Sequence, residues 1–323
     1  DFNNDVNSKN YVKTQFARQT SILSDTRVNW KKAANEHDYE LNAGVRYVNN
    51  EYKMEYAEGH NTGSDQVREM SGSLQYKTVK GVDDPYKLLS YYGLFNYGFK
   101  DRYFAEAALN IETSSRFGNQ TKSGLNLLGV SWAVFPSLNL AWLVSSEDFM
   151  QNISAINSLK LRAGIGMTGN DGIESTAARS YFKAVKFNAN ATGIEINNIA
   201  NPAIQWETVT KVNAGIEASI LKDRVQVSVD LFKSNTNNLL VLKNLDSYSG
   251  IANYWTNDGK LQNIGFEAGL NVQIIRTKDF NMTLGASIAN YSNKITALAD
   301  GDYMTKVYGA EVLTAVGQSF GQL

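Results

Sequence analysis

Read along the chain, apolar and polar residues alternate with a period of two over long stretches. In "RVQVSVDLFKSN", Val225, Val227, Val229 and Leu231 alternate with Gln226, Ser228 and Asp230. The same holds for Phe266, Ala268, Leu270, Val272 and Ile274, and again for Phe280, Met282, Leu284, Ala286 and Ile288. Period two is the mark of a strand with one apolar and one polar side. Adding the segments at 39–47, 103–111, 159–167 and 210–220, no charged residue falls on the apolar side. The polar side carries Glu40, Arg46, Glu106, Lys160, Arg162, Lys211, Glu217, Asp230 and Glu267.

A water-soluble sandwich also has one apolar and one polar face, so alternation alone leaves open whether a second protein layer or lipid covers the apolar side. Strand length and connection length separate the two. Globular strands run about five or six residues, whereas a tilted strand crossing a bilayer needs about nine to eleven. Segments such as 207–220 and 262–275 meet the longer requirement. Short connections at 35–37, 99–102, 221–224 and 276–279, with a medium one at 145–157, alternate with long ones near 112–124, 169–206 and 241–261. Short turns on one side and long loops on the other are what an up-and-down outer-membrane barrel shows.

Residues 67–79, "VREMSGSLQYKTV", test that parity. As a strand they would invert every later hairpin, so all of 58–87 is assigned to one long external loop with room for a local helix. The fold class that follows is all-β: part of an antiparallel, up-and-down transmembrane β-barrel, with short periplasmic turns and long extracellular loops. Ten strands are expected, at 16–34, 38–57, 89–99, 103–114, 124–144, 158–168, 207–220, 224–240, 262–275 and 280–294. Lys-Asp recurs in three short turns (100–101, 222–223, 278–279), a weak repeat of one hairpin unit. A Lys or Arg facing mid-membrane costs about 2–4 kcal/mol, while aromatics beside the turns form an interfacial girdle. Tyr97, Phe99, Tyr103 and Phe104 around Lys100-Asp101 fit that role, as does Phe280 after Asp279.

Composition narrows the function. No apolar run approaches the roughly eighteen residues of a membrane helix. Lys plus Arg (31) nearly balances Asp plus Glu (32), so no basic field exists for a nucleic-acid backbone and no nucleic-acid partner is expected. With no cysteine, and with His37 and His60 far apart, neither a disulfide framework nor a zinc site is expected. Three prolines against seventeen tyrosines suit long strands. The start, "DFNNDVNSKNYVKT", has no basic segment followed by an apolar one, so no signal peptide is read there.

Five segments in order, "NYGFKDRYFAEAALNIETSSRFG" (96–118), "VFPSLNLAWLVSSEDFM" (134–150), "INSLKLRAGIGMTGN" (156–170), "NPAIQWETVTKVNAGIEASILKDRVQVSVDLF" (201–232) and "GKLQNIGFEAGLNVQIIRTKDFNMTLGASIANYSNKI" (259–295), together resemble the SusC/RagA family of TonB-dependent outer-membrane transporters. The resemblance is good over 89–295 and loose over the first 88 residues. It implies a plugged barrel of about 22 strands, in a Bacteroidota-type envelope, importing oligosaccharides or peptides. The implied partners are a SusD-like surface lipoprotein, the TonB complex and the plug domain of the full-length protein, with membrane lipid around the wall. Ten strands cannot close around a plug. Residues 1–323 are therefore expected to be a partial barrel domain, an internal piece of a longer protein, with the plug and the C-terminal strands lying elsewhere. A structural or adhesive all-β surface protein with a sandwich core remains the alternative.

Candidate chemistry is sparse. "GIGMTG" (164–169) has the glycine spacing of a dinucleotide site, but the preceding strand alternates Lys160 and Arg162 with leucines where a buried parallel strand is required. Gly164 and Gly166 are instead expected to face the lumen and leave space for the plug. Asp171 with Glu174, or Asp83-Asp84, could ligate calcium, yet neither has the spacing of a dedicated loop and solvated acids are favoured. There is no Gly-x-Ser-x-Gly elbow and no Ser-His-Asp arrangement, so no catalytic residue, metal or cofactor is expected and the chain is read as a non-enzyme. The loop "NLDSYSGIANYWTNDGK" (244–260) sets Tyr248, Tyr254 and Trp255 among Asn and Asp, a mixture suited to the apolar faces and hydroxyl edges of sugars. These three are the substrate-contact candidates, with packing inside the loop or against a partner as the competing role.

Overall fold

The computed structural model describes residues 11–60, 66, 68–71, 76–122, 124–186, 191–245, 251, 253–299, 301–307 and 309–321. Ten long strands form one antiparallel meander: β1 (Tyr11–Ala34), β2 (His37–His60), β3 (Tyr76–Phe99), β4 (Tyr103–Ser114), β6 (Val130–Leu143), β7 (Ile156–Asn170), β10 (Glu207–Ile220), β11 (Val225–Asn237), β14 (Lys260–Arg276) and β15 (Asn281–Ala297). A short β5 (Leu125–Leu127) pairs with β6. Three small hairpins stand off the sheet, β8 (Phe182–Lys186) with β9 (Thr192–Ile196), β12 (Leu240–Asn244) with β13 (Asn253–Asn257), and β16 (Tyr303–Val307) with β17 (Ala310–Thr314).

Register keeps each face uniform across the sheet. Ile216, Val229, Ala268 and Ile288 lie in line on one face, while Gly215, Asp230, Glu267 and Ala289 lie in line on the other. Among the described residues no second layer covers the apolar face. Leu270 is 42% exposed, Leu284 59% and Ile288 63%, and the sheet's contacts run between neighbouring strands. The sandwich alternative needs those side chains interdigitated with a facing sheet, and that arrangement is not found. On β2 the apolar face stays uncharged from His37 to Tyr47, where about 3.4 Å per residue at a tilt near 45° rises about 24 Å. That matches the roughly 25 Å apolar band of a membrane barrel.

The assignment of 58–87 to a loop is corrected at 58–60 and 76–87, while most of 61–75, where a local helix had room, lies outside the described residues. β2 continues to His60 and β3 begins at Tyr76, and the two pair over their whole length. Past Tyr47 the same face carries Glu51, Lys53 and Glu55, so the lipid-facing pattern stops while backbone pairing goes on, supported by a Lys53–Asp83 ion pair at 3.5 Å. Strand length exceeds bilayer thickness here, which apolar alternation cannot report. Hairpin parity survives because both partners lengthen together. The expected strand at 124–144 is also divided, by a turn in which Leu128 (φ 55) and Gly129 (φ 74) are both left-handed. In "LNLLGV" the apolar positions shift from odd (Leu125, Leu127) to even (Val130) across that turn, and a single strand over 124–144 overlooks the shift.

Most of the predicted girdle is present at the short-turn end. His37, Tyr97, Phe99, Tyr103 and Trp142 share the apolar face, with His37–Phe99 ring centroids 4.8 Å apart and Phe99–Tyr103 and Tyr103–Trp142 each 6.2 Å. Phe104 is the exception. By strand parity it lies on the polar face, against the Gly98 position. The Lys-Asp repeat is not a repeat of geometry either. Lys100 and Asp101 are left-handed, Leu221, Lys222 and Asp223 are all left-handed, and 278–279 are not.

Glu147, in the connection after β6, ties this rim together. It accepts hydrogen bonds from Tyr103 Oη (2.7 Å) and Trp142 Nε1 (3.0 Å) and pairs with Arg102 (2.9 Å). The bonds from Tyr103 and Trp142, then the nearby guanidinium, hold its carboxyl below the usual 4.5. A depressed folded value means that the rim's contribution is full above 4.5 and is lost as pH falls through the lower folded value. Trp142 emission is therefore expected to change below pH 4.5 in the parent and to stay flat in Glu147→Gln. An acid response unchanged by the substitution would place the titration elsewhere.

Candidate functional site

The polar face is a wall of paired charges and amides. Near the short turns Lys31 and Asn29 both reach Glu40, at 3.1 and 2.9 Å. Arg46 pairs with Asp25 at 2.8 Å, and Tyr92 Oη donates to the same carboxylate at 2.6 Å. Asn139 donates to Glu106 at 3.0 Å. Arg162 spans to Asp230 at 2.6 Å and to Glu217 at 3.3 Å, and Lys211 lies 5.0 Å from the Phe232 ring.

Two of these contacts cross a whole strand, and glycine makes both possible. Arg162 on β7 and Asp230 on β11 are each in register with Gly215 on the intervening β10. Neighbouring strands are about 4.8 Å apart, so the pair bridges roughly 9–10 Å over the glycine. A Cβ on Gly215 would come 2.8 Å from Arg162 Nε. In the same way Tyr92 on β3 passes over Gly44 on β2 to reach Asp25 on β1. A Cβ on Gly44 would stand 2.6 Å from Tyr92 Cζ. Gly164 sits on this wall as expected, but the space beside it is filled by Asn139 and Asn213. The glycines make room for side chains of neighbouring strands, a use visible only once register is known.

At the other end the long loops converge on a small core. Ile173, Ala177, Ala178 and Ile204 are buried together, and Ala133, Phe135 and Trp206 form a second cluster, with Phe117 against both. Gln205 and Asn257 lock two loops: Gln205 N donates to Asn257 Oδ1 at 2.8 Å and Asn257 Nδ2 to Gln205 O at 2.9 Å. Nothing in the alternation pattern marked Ile204, Trp206 or Phe117, because they lie in irregular segments. "NPAIQW" carries only a short apolar signal.

Two of the three substrate-contact candidates fall in this crown. Tyr254 and Trp255 are on β13, both partly exposed, and Tyr248 lies outside the described residues. Trp255 packs against the Ile204 cluster, and its carbonyl accepts from Asn201 Nδ2 at 3.0 Å. Of the acids weighed for calcium, Asp171 accepts from Ser114 Oγ (3.0 Å), Asp84 on β3 from Ser175 N (3.2 Å), and Asp83 on β3 pairs with Lys53. Among the described residues no group of His, Asp and Glu is arranged to hold a metal. The wall presents fixed charge pairs, hydroxyls and amides to a wet interior; it is built to hold polar groups.

A single antiparallel layer with one mainly apolar face, uncharged on β2 across about a bilayer's thickness, and an opposite face lined with charge is part of the wall of a transmembrane β-barrel. The chain belongs to the family described as TonB dependent receptor-like, beta-barrel, which matches residues 1–315. It is 27% identical to TonB-dependent receptor P3 of Formosa agariphila, over 89% of this chain and 28% of that protein. It is 30% identical to TonB-dependent receptor SusC of Bacteroides thetaiotaomicron, over 67% of this chain and 21% of that protein. The chain thus spans under a third of the length of these relatives. The solved RagAB peptide transporter superposes with a TM-score of 0.81 at 23% identity, covering 94% of this chain and 33% of that one, a likeness of fold.

Proposed function

We propose that this chain forms part of the barrel of an active importer of oligosaccharides or peptides in a bacterial outer membrane. On this reading residues 1–323 are a partial barrel domain. A plug domain and further strands complete the lumen, a SusD-like surface lipoprotein closes the loop end, and the TonB complex supplies energy through regions outside this chain. The single observation that supports it is the split between the uncovered, mainly apolar face and the ion-paired polar face. Such a wall binds and passes a solute without bond chemistry. The peptide arm draws on the RagAB peptide transporter, and both arms on family membership.

Deletion of the gene in its host, with growth on oligosaccharides and on peptides as separate sole nutrient sources, tests the proposal. Loss of growth on one source, restored by the intact gene, is expected; unimpaired growth on both would reject it. Tyr248, Tyr254 and Trp255 are proposed substrate contacts. Tyr254→Ala is expected to raise the half-saturating substrate concentration about tenfold, on the scale of one lost aromatic contact. Equal uptake curves would remove Tyr254 from the site.

A further inference from the structure

β4 ends at Ser114 opposite Leu88, while β3 runs on and the β5–β6 hairpin rises beside it. The gap is a notch of about 320 Å³ in the wall. Its height is informative. Tyr47, Leu89 and Thr113 lie in line on the apolar face, and one step beyond them Lys87 is the first charged residue of β3 on that face. The notch therefore opens at the loop-side boundary of the lipid band.

Its lining is one-sided in charge. Lys87 and Arg179 are both exposed there, beside the hydroxyls of Thr113, Ser115 and Ser131 and the amide of Asn119, and among the described residues no carboxylate lines it. Neither cation forms an ion pair among the described residues. Ser131 Oγ is buried without a hydrogen-bond partner, an arrangement that costs free energy unless something fills it. Beside these groups the hairpin is apolar where water would favour Asn-Gly. Leu128 occupies its left-handed turn and is 94% exposed, with Leu127 at 61% and Leu125 at 55%. Leu125, Leu127, Val130 and Trp132 are cross-strand partners on the apolar face.

We infer that this notch binds an anionic amphiphile of the outer leaflet, a lipid with a phosphorylated headgroup. Lys87 and Arg179 hold the phosphate, with the pocket hydroxyls donating, and an acyl chain lies along Leu89, Val130 and Leu127. Two cations with neutral donors and no acid suit a phosphate. Interfacial depth and the adjoining leucines suit an amphiphile better than a free anion. The inference rests on the proposed membrane setting of the wall.

The test uses the intact outer-membrane protein that contains this chain, purified in neutral detergent, with dioctanoyl phosphatidate, dioctanoyl phosphatidylcholine and inorganic phosphate as calorimetric probes. Phosphatidate is expected to bind at least about tenfold more tightly than the choline lipid, and Lys87→Gln with Arg179→Gln to weaken it by about tenfold or more. Inorganic phosphate at equal concentration is expected not to displace it. Equal binding of the two lipids, or an undiminished affinity in the double variant, would overturn the inference. Displacement by inorganic phosphate would assign the notch to a free anion and overturn the lipid assignment. Both substitutions are at exposed positions, and heat-modifiable electrophoretic mobility reports the barrel. A variant that keeps that mobility but not the affinity supports the site. A parent protein that lacks that mobility and is absent from the outer-membrane fraction would instead remove the membrane reading beneath it.

Discussion

Leu270→Arg is expected to destabilise the assembled barrel by about 2–4 kcal/mol, whereas Asn271→Arg, one residue along the same strand, costs far less. Leu270 lies near the middle of the uncharged stretch of β14, in register with Val227 on one side and Ala286 on the other, and is 42% exposed. In a bilayer an arginine there must sit in hydrocarbon or drag its guanidinium to the interface. Asn271 points to the face that carries Gln226 and Gly285, where a guanidinium meets water and acceptors. Reversible urea unfolding of the intact protein in phosphatidylcholine vesicles measures both. A compact body with leucines merely on its surface predicts little cost at either position. Equal, small effects would therefore mean that lipid does not cover this face.

That contrast rests on parity, and parity was the most legible property of the chain. β10, β11, β14 and β15 came from alternation with their faces assigned, since one wrong step would have put Lys211 or Glu267 into lipid. What stayed hidden was set by long-range geometry. The extension of β3 back to Tyr76 follows from pairing with β2, whereas hairpin parity alone, weighing a separate strand at 67–79, assigns the stretch to a loop. The turn at Leu128-Gly129 shifts the alternation by one residue in a segment only three residues long, too short for period two to separate β5 from β6. The roles of Gly44 and Gly215 depend on which side chains stand two strands apart, a relation that one sequence does not contain. At the crown, aromatic content pointed to Trp255, but its packing against Ile204 depends on a segment some fifty residues away.

Lys243→Met is expected to open the crown locally, at a cost of about 3–5 kcal/mol. Asp258, between β13 and β14, is buried to 2% of its side-chain surface and pairs with Lys243 Nζ at 2.6 Å, itself 13% exposed. The same carboxylate accepts from Ala299 N, and Asp258 N donates to Leu239 O at 2.8 Å. One buried acid thus joins the β12–β13 hairpin, the end of β11 and the chain leaving β15. Removing the ammonium leaves that carboxylate out of water without its counter-charge, which is far worse than losing a surface ion pair. Amide hydrogen exchange should show lost protection at Leu239, Asp258 and Ala299, with the membrane-spanning parts of β10 and β11 unchanged. Lys243→Met with Asp258→Leu removes the stranded charge along with its partner and should recover most of the protection, short of the Ala299 bond. If the double variant were as open as the single one, the crown would depend on side-chain shape at these positions and not on the buried charge.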